Sequence, residues 1–143
     1  MMTAGVTVLV VDDNPGFLRV ARAVLEDAFT VHTVENGEEA LAFLERRPPF
    51  ADAPRPAFVV LDFHLPDMNA PAVLARLSTD TTLRALPVLV LSQADWEEDE
   101  RAARDAGARQ FCVKPSRVQA LREAIVAFWR DHAGAGPGAL DRG

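Results

Sequence analysis

The sequence predicts one α/β domain, built on a five-stranded parallel sheet in the order 2-1-3-4-5 with helices on both faces. Short apolar runs rich in Val and Leu recur along the 143 residues, which is typical of strands buried on both faces. A segment with helical apolar spacing follows each run, and this alternation implies βαβ units. Right-handed crossovers limit how five such units can be wound, and 2-1-3-4-5 is a common order. We expect the domain to span residues 6–132 and a flexible tail to occupy 133–143.

The first two predicted strands are each followed by an amphipathic helix. Residues 7–11 form an apolar run, and a helix over 15–28 is predicted after it, with Asn14 as the N-cap. The alternating segment 30–34 predicts a second strand. Apolar residues at helical spacing then predict a second helix that ends near Arg46.

The middle of the chain contains a proline-rich loop and the most apolar strand. Residues 47–56 hold four of the ten prolines, so we expect an extended surface loop there. The run 58–62 predicts a central strand that ends on Asp62. A short third helix is predicted over 72–77, entered through Pro71.

The last third of the chain repeats the strand and helix alternation twice more. The fourth strand is predicted over 86–91 and a charged helix over 96–106, with acidic residues near its positive N-terminal end. The fifth strand is predicted over 110–113. A final helix over 116–132 is predicted, with Ser116 as its N-cap.

Composition excludes several classes of protein. The formal net charge is -6, with 15 basic and 21 acidic residues, so we expect no DNA binding by the chain itself. Cys112 is the only cysteine, which excludes an intrachain disulfide and suits a reducing compartment. The first apolar run is too short for a signal peptide or a membrane span. We therefore expect a cytoplasmic protein with no membrane partner.

Acidic residues end the two strands that the predicted order makes neighbours. Asp12 and Asp13 follow strand one and Asp62 ends strand three, and adjacent strands lie about 4.8 Å apart. Three carboxylates that close repel unless a positive group joins them, and either Lys114 at the end of strand five or a divalent cation would serve. Oxygen ligands in small number suit Mg²⁺. Taken singly, each acidic residue also fits a turn or a helix cap.

Together these strand-end residues resemble the receiver domain of two-component response regulators, a flavodoxin-like fold. The resemblance covers about residues 6–131. The residues that carry it are Asp12, Asp13, Asp62, the following Leu65-Pro66-Asp67-Met68, Ser92 and the Lys114-Pro115 step.

The resemblance implies a Mg²⁺-dependent phosphoacceptor, with Mn²⁺ able to substitute. Asp62 would accept the phosphoryl group and would bind the metal together with Asp13. Asp12 would assist as a ligand, and the backbone carbonyl of His64 would be another. Lys114 would pair with the phosphoryl oxygens.

The resemblance also implies a switch beside the cleft. Ser92 would be the switch hydroxyl, and Phe111 the aromatic residue that turns inward behind it on phosphorylation. The Lys114–Pro115 peptide would be cis, an arrangement that proline makes affordable.

Two further features concern partners. The proline-rich loop 47–56 and the ending Phe128-Trp129 are similar to the small stand-alone regulators encoded beside bacterial phytochrome histidine kinases, which implies a light-sensing histidine kinase as the partner.

Val126 and Trp129 lie beside the apolar face of the last helix, and we expect a homodimer through them. The alternative is that Trp129 folds back over the edge of the domain. The residues predicted to lie on the sheet are Val118, Leu121, Ile125 and Phe128.

Three alternatives to a phosphoryl-accepting switch are weaker. A Mg²⁺-dependent phosphohydrolase with an aspartate nucleophile needs a cap and usually a second aspartate two residues later, where this chain has His64. A dinucleotide-binding domain needs a G-x-G-x-x-G turn after the first strand, which is absent. A receiver-like binding module without phosphorylation would not need the complete set of strand-end residues. We therefore expect a protein that is not an enzyme beyond taking part in its own phosphorylation and dephosphorylation.

Overall fold

The computed structural model describes residues 5–133 and shows the predicted alternation of strands and helices. The strands are β1 (Thr7–Val11), β2 (Thr30–Val34), β3 (Phe58–Asp62), β4 (Val88–Ser92) and β5 (Gln110–Val113). The helices are α1 (Pro15–Leu25), α2 (Gly37–Glu45), α3 (Ala70–Ser78), α4 (Glu97–Ala106) and α5 (Val118–Phe128). A 3₁₀ turn over Leu83–Ala85, which the sequence did not predict, precedes β4, and a π-helical turn over Trp129–Ala133 continues α5. Of the tail predicted over 133–143, residues 134–143 lie outside the described residues.

The five strands form one parallel sheet in the predicted order β2-β1-β3-β4-β5. Val11 of β1 is the partner of Leu61 of β3, so Asp12 and Asp62 come next along two adjacent strands. Ser92 at the end of β4 is the partner of Val113 in β5. The register therefore brings the polar residues of four strands to one edge of the sheet.

The sheet separates two apolar cores because successive strand side chains point to opposite faces. Leu9 and Val11 of β1 pack with α2, α3 and α4, whereas Val8 and Val10 pack with α1 and α5. All five residues of β1, β3 and β4 are buried, as their unbroken apolar runs predict. Within residues 5–133, no helix combines the length and apolar character that crossing a membrane requires.

Asparagine side chains begin three of the five helices. Asn14, Asn36 and Asn69 cap α1, α2 and α3 by accepting hydrogen bonds from first-turn N–H groups. The predicted cap of the last helix is wrong: Arg117 takes the N-cap position in extended backbone, so Ser116 lies one residue too early.

The C-terminal helix differs from its predicted packing at both ends. Val118 is 50% exposed and does not lie on the sheet: it is the first residue of α5, and the buried residues of this helix begin at Leu121. Trp129 stacks on Phe58 with ring centroids 5.5 Å apart and meets Phe29 edge-on at 6.4 Å. Of the two alternatives for Trp129, the structure has the one in which the indole folds back over the domain.

Candidate functional site

Three carboxylates meet at the carboxyl edge of the sheet, as predicted. One oxygen each from Asp12, Asp13 and Asp62 lies within 4.8 Å of the others. Asp12 and Asp62 are only 1% and 7% exposed, whereas Asp13 is exposed to solvent. The backbone N–H of Asn14 donates to Asp12 Oδ1 at 2.9 Å and orients that carboxylate. The cleft is thus closed on the protein side and open to water at Asp13.

Lys114 enters the same cleft from the end of β5. Its Nζ lies 2.7 Å from Asp12 Oδ2 and 3.5 Å from Asp62 Oδ1, so its shorter contact is with Asp12. The ammonium also lies 4.5 Å from the centroid of the Phe17 ring, a cation–π contact that is not predicted from the sequence. No periodic pattern in α1 distinguishes Phe17 from a core residue. The side chain of Lys114 is 10% exposed and is therefore held in place.

The carboxyl group of Asp62 has a strongly perturbed pKa. Burial of the group is the largest cause and, with the charge of Asp12 and a smaller contribution from Asp13, raises the pKa from 3.8 to about 6. Lys114 opposes this by its charge and its hydrogen bond, but only in part. A further positive charge in the cleft would favour the ionised form of Asp62.

The donor set fits a small divalent cation. The described ligand atoms are all carboxylate oxygens, and one ammonium facing three carboxylates leaves a negative cleft. Mg²⁺ binds through one or two carboxylates and keeps several waters, which the open side at Asp13 admits. His64 begins the loop after β3, where it forms an antiparallel bridge with Asn69. The role of the His64 carbonyl as a ligand stays a prediction.

The two residues predicted to switch are both buried. Ser92 is 1% exposed, and its Oγ accepts a hydrogen bond from the backbone N–H of Ala94 at 3.4 Å. Phe111 is 7% exposed, and its ring meets that of Phe63 edge-on at 6.4 Å. Phe111 belongs to the apolar core on the face of the sheet that α2, α3 and α4 cover. The switch roles of Ser92 and Phe111 stay predictions.

The predicted cis peptide at Lys114–Pro115 is wrong. Within residues 5–133 the one cis peptide bond joins Pro48 and Pro49. Proline lowers the preference for the trans form to about 0.5–1 kcal/mol without reversing it, so a Lys-Pro step does not require a cis bond. Lys114 reaches both buried carboxylates with its following peptide in trans.

Comparison with known proteins identifies relatives over nearly the whole chain. Residues 8–126 match the family described as the response regulator receiver domain. TcrX of Mycobacterium tuberculosis is 36% identical over 126 residues, which cover 87% of this chain and 50% of TcrX. This chain therefore spans about half the length of that relative. Response regulator Rcp1 of Synechocystis sp. is 27% identical over 128 residues, which cover 85% of this chain and 87% of Rcp1.

Solved structures have the same fold. The phosphorylated cyanobacterial phytochrome response regulator RcpA superposes with a TM-score of 0.81 at 28% identity, covering 91% of this chain and 95% of RcpA. The Mn²⁺-bound form of Rcp1 superposes with a TM-score of 0.77 at 24% identity, covering 89% of this chain and 94% of that one.

Proposed function

The chain belongs to the response regulator receiver family, and we propose that Asp62 is its phosphoacceptor in a Mg²⁺-dependent reaction. One observation carries this proposal: Asp12, Asp13 and Asp62 converge with Lys114 at the carboxyl edge of a parallel sheet. Receiver domains of this family signal through phosphorylation. Asp62 is the one of these carboxylates that ends the central strand, between β1 and β4.

The proposed chemistry is transfer of a phosphoryl group to a carboxylate oxygen. An oxygen of Asp62 forms a bond to phosphorus while the bond to the donor breaks, and the donor leaves with that electron pair. Bound Mg²⁺ would neutralise charge on the phosphoryl oxygens, with Asp12 and Asp13 as its other carboxylate ligands. Lys114 would place a second positive charge beside the same oxygens, since its Nζ already lies 3.5 Å from Asp62.

Intact-mass measurement of the full chain with a small acyl phosphate tests this function. We expect one phosphoryl group per chain with Mg²⁺ and no mass gain with EDTA, because the uncompensated cleft repels the anionic donor. Mn²⁺ should replace Mg²⁺, and the Mn²⁺-bound form of the relative Rcp1 supports this. Equal modification with and without EDTA would contradict the metal requirement.

We further propose that the physiological donor is the phosphohistidine of a light-sensing histidine kinase. RcpA is a phytochrome response regulator, and its structure matches 91% of this chain. The loop over 47–56 and the aromatic ending of α5 carry the same resemblance in sequence.

Self-association through α5 is the second partner proposal. A shallow groove on the outer face of α5 is lined by Arg122, Glu123, Val126, Ala127 and Arg130. Val126 is half-buried, so part of an apolar surface lies between two arginines. Because Trp129 stacks on Phe58, the contact would use Val126 more than the indole.

We expect sedimentation at tens of micromolar to show a dimer for the parent and a monomer for Val126→Glu. A glutamate there would be desolvated in a twofold contact. Val118→Glu is the matched control, since Val118 is on the same helix but 50% exposed at its other end. A parent that sediments as a monomer, with and without phosphorylation, would contradict the proposal.

A further inference from the structure

The loop between β3 and α3 begins immediately after Asp62 and is closed at its base. His64 forms an antiparallel bridge with Asn69, and the backbone N–H of Ala70 donates to the Phe63 carbonyl at 2.8 Å. We call residues 64–69 the site loop. It leaves the edge of the sheet where Asp12, Asp13 and Asp62 converge, directly after β3.

Asp67 attaches the tip of the site loop to the start of α2. Its Oδ1 accepts from the backbone N–H of Gly37 at 2.8 Å, and its Oδ2 accepts from that of Glu38 at 2.9 Å. These N–H groups have no acceptor within the helix, because the first turn of a helix leaves its donors free. Asn36 already supplies the local cap, through its bond from Glu39 N–H at 2.8 Å. Asp67 is therefore a connection between two distant segments rather than a local cap.

Met68 provides a second contact between the same two segments. A Cβ added to Gly37 would lie 2.3 Å from Met68 Cγ and 2.5 Å from its Sδ. The absence of a side chain at Gly37 is thus what lets the site loop lie directly on α2. Polar and steric contacts act at the same place but through different atoms.

The charge state of Asp67 suits this connection. Burial would by itself raise the pKa of its carboxyl group, but hydrogen bonds from the backbone N–H groups of Gly37, Glu38, Asp67 and Met68 outweigh it and lower the pKa below 3.8. Asp67 is therefore ionised at neutral pH, and its two bonds to α2 are charge-assisted.

We propose that Asp67 is a positioning residue for the metal site: by holding the site loop on α2, it fixes the chain that leaves Asp62 in the arrangement that binds Mg²⁺. This inference rests on the proposed function. Without the Asp67 bonds the loop would sample more conformations, and ordering it on metal binding would cost affinity. Groups that support metal ligands commonly change affinity by 10- to 100-fold when they are removed.

The test is the Mg²⁺ dissociation constant of the full chain, taken from the Mg²⁺ dependence of its urea unfolding midpoint. Asp67→Asn should raise that constant about tenfold, because the amide keeps one acceptor oxygen but turns its NH₂ group toward the second N–H donor of α2. The phosphorylation rate at saturating Mg²⁺ should stay near that of the parent, since Asp67 contacts none of the cleft residues. Asp67→Glu should recover part of the affinity.

Asp80→Asn is the matched control. Asp80 Oδ1 likewise accepts two backbone N–H groups, from Thr82 at 2.8 Å and Leu83 at 3.0 Å, but it lies before β4 at the opposite edge of the sheet. If Asp67 had only a structural role, Asp67→Asn would behave like Asp80→Asn. Both variants would be less stable than the parent, and neither would have a higher Mg²⁺ dissociation constant. An Asp67→Asn constant equal to that of a Mg²⁺-binding parent would overturn this inference alone, whereas a parent that binds no Mg²⁺ would overturn the proposed function and this inference with it.

Gly37→Ala tests the same connection from the α2 side. If Asp67→Asn does not fold, this variant shows whether contact between the site loop and α2 affects Mg²⁺ affinity. The added Cβ would displace Met68 and loosen the site loop from α2, so the constant should rise, by less than in Asp67→Asn because the two Asp67 bonds remain. An unchanged constant in Gly37→Ala, with Met68 displaced, would also count against the inference.

Discussion

Asp62→Asn is expected to eliminate phosphoryl transfer, with no mass gain at saturating Mg²⁺ and acyl phosphate. The amide has nearly the shape of the carboxylate but lacks the anionic oxygen that attacks phosphorus. It also removes the negative charge of one of the three carboxylates whose oxygens lie within 4.8 Å of one another in the cleft. Because the variant has no phosphoacceptor, phosphorylation should be lost completely, and this is the largest functional effect that we predict.

Asp52→Asn is the matched control for that experiment. Asp52 is an exposed aspartate in the proline-rich loop, and the same substitution there should leave the rate of modification unchanged. Circular dichroism of Asp62→Asn should match that of the parent. A variant that gains mass as readily as the parent would show that another residue is the acceptor.

Asp62→Asn is also expected to stabilise the metal-free protein at neutral pH. Burial, with the charge of Asp12 added to it, raises the pKa of Asp62 to about 6, so folding of the parent is penalised when that carboxyl group is ionised. A rise from 3.8 to about 6 corresponds to roughly 3 kcal/mol at full strength, and screening by water in the open cleft reduces this to about 1–2 kcal/mol. Asparagine cannot ionise and escapes this penalty.

The pH dependence has a definite sign. Between pH 3.8 and about 6 the folded parent holds a proton on Asp62 that the unfolded chain has lost, so this residue lowers stability as pH rises through that window. The gain in Asp62→Asn over the parent should therefore be full above pH 7 and small near pH 4. Urea unfolding in EDTA at several pH values measures it. A variant less stable than the parent at pH 8 would contradict the assignment.

Mg²⁺ should reduce the difference in stability between Asp62→Asn and the parent. The cation binds the folded parent through the carboxylates of the cleft and stabilises it by mass action. Asp62→Asn has lost a ligand and should gain less, so the gap between the two proteins narrows as Mg²⁺ is added. If Mg²⁺ raised the stability of both proteins equally, the metal would bind somewhere other than this cleft.

The sequence by itself determined the sheet and the location of its reactive edge. Unbroken apolar runs such as 58–62 are a local signal, because a strand buried on both faces has no polar positions. Right-handed βαβ connections limited the possible strand orders, and the common order 2-1-3-4-5 proved to be the observed one. The ends of parallel strands share one edge of the sheet. Asp12, Asp13 and Asp62 could therefore be placed together without coordinates.

Only the tertiary structure decided which contacts those residues make. Lys114 lies closer to Asp12, 102 residues away in sequence, than to Asp62, and Phe17 lies under its ammonium. Asp67 binds the start of α2, and Trp129 covers Phe58. Periodicity reports which face of an element is buried, but each of these contacts depends on how helices are placed against one another and against the sheet. That placement is set by side-chain packing across segments distant in sequence, which no local pattern encodes.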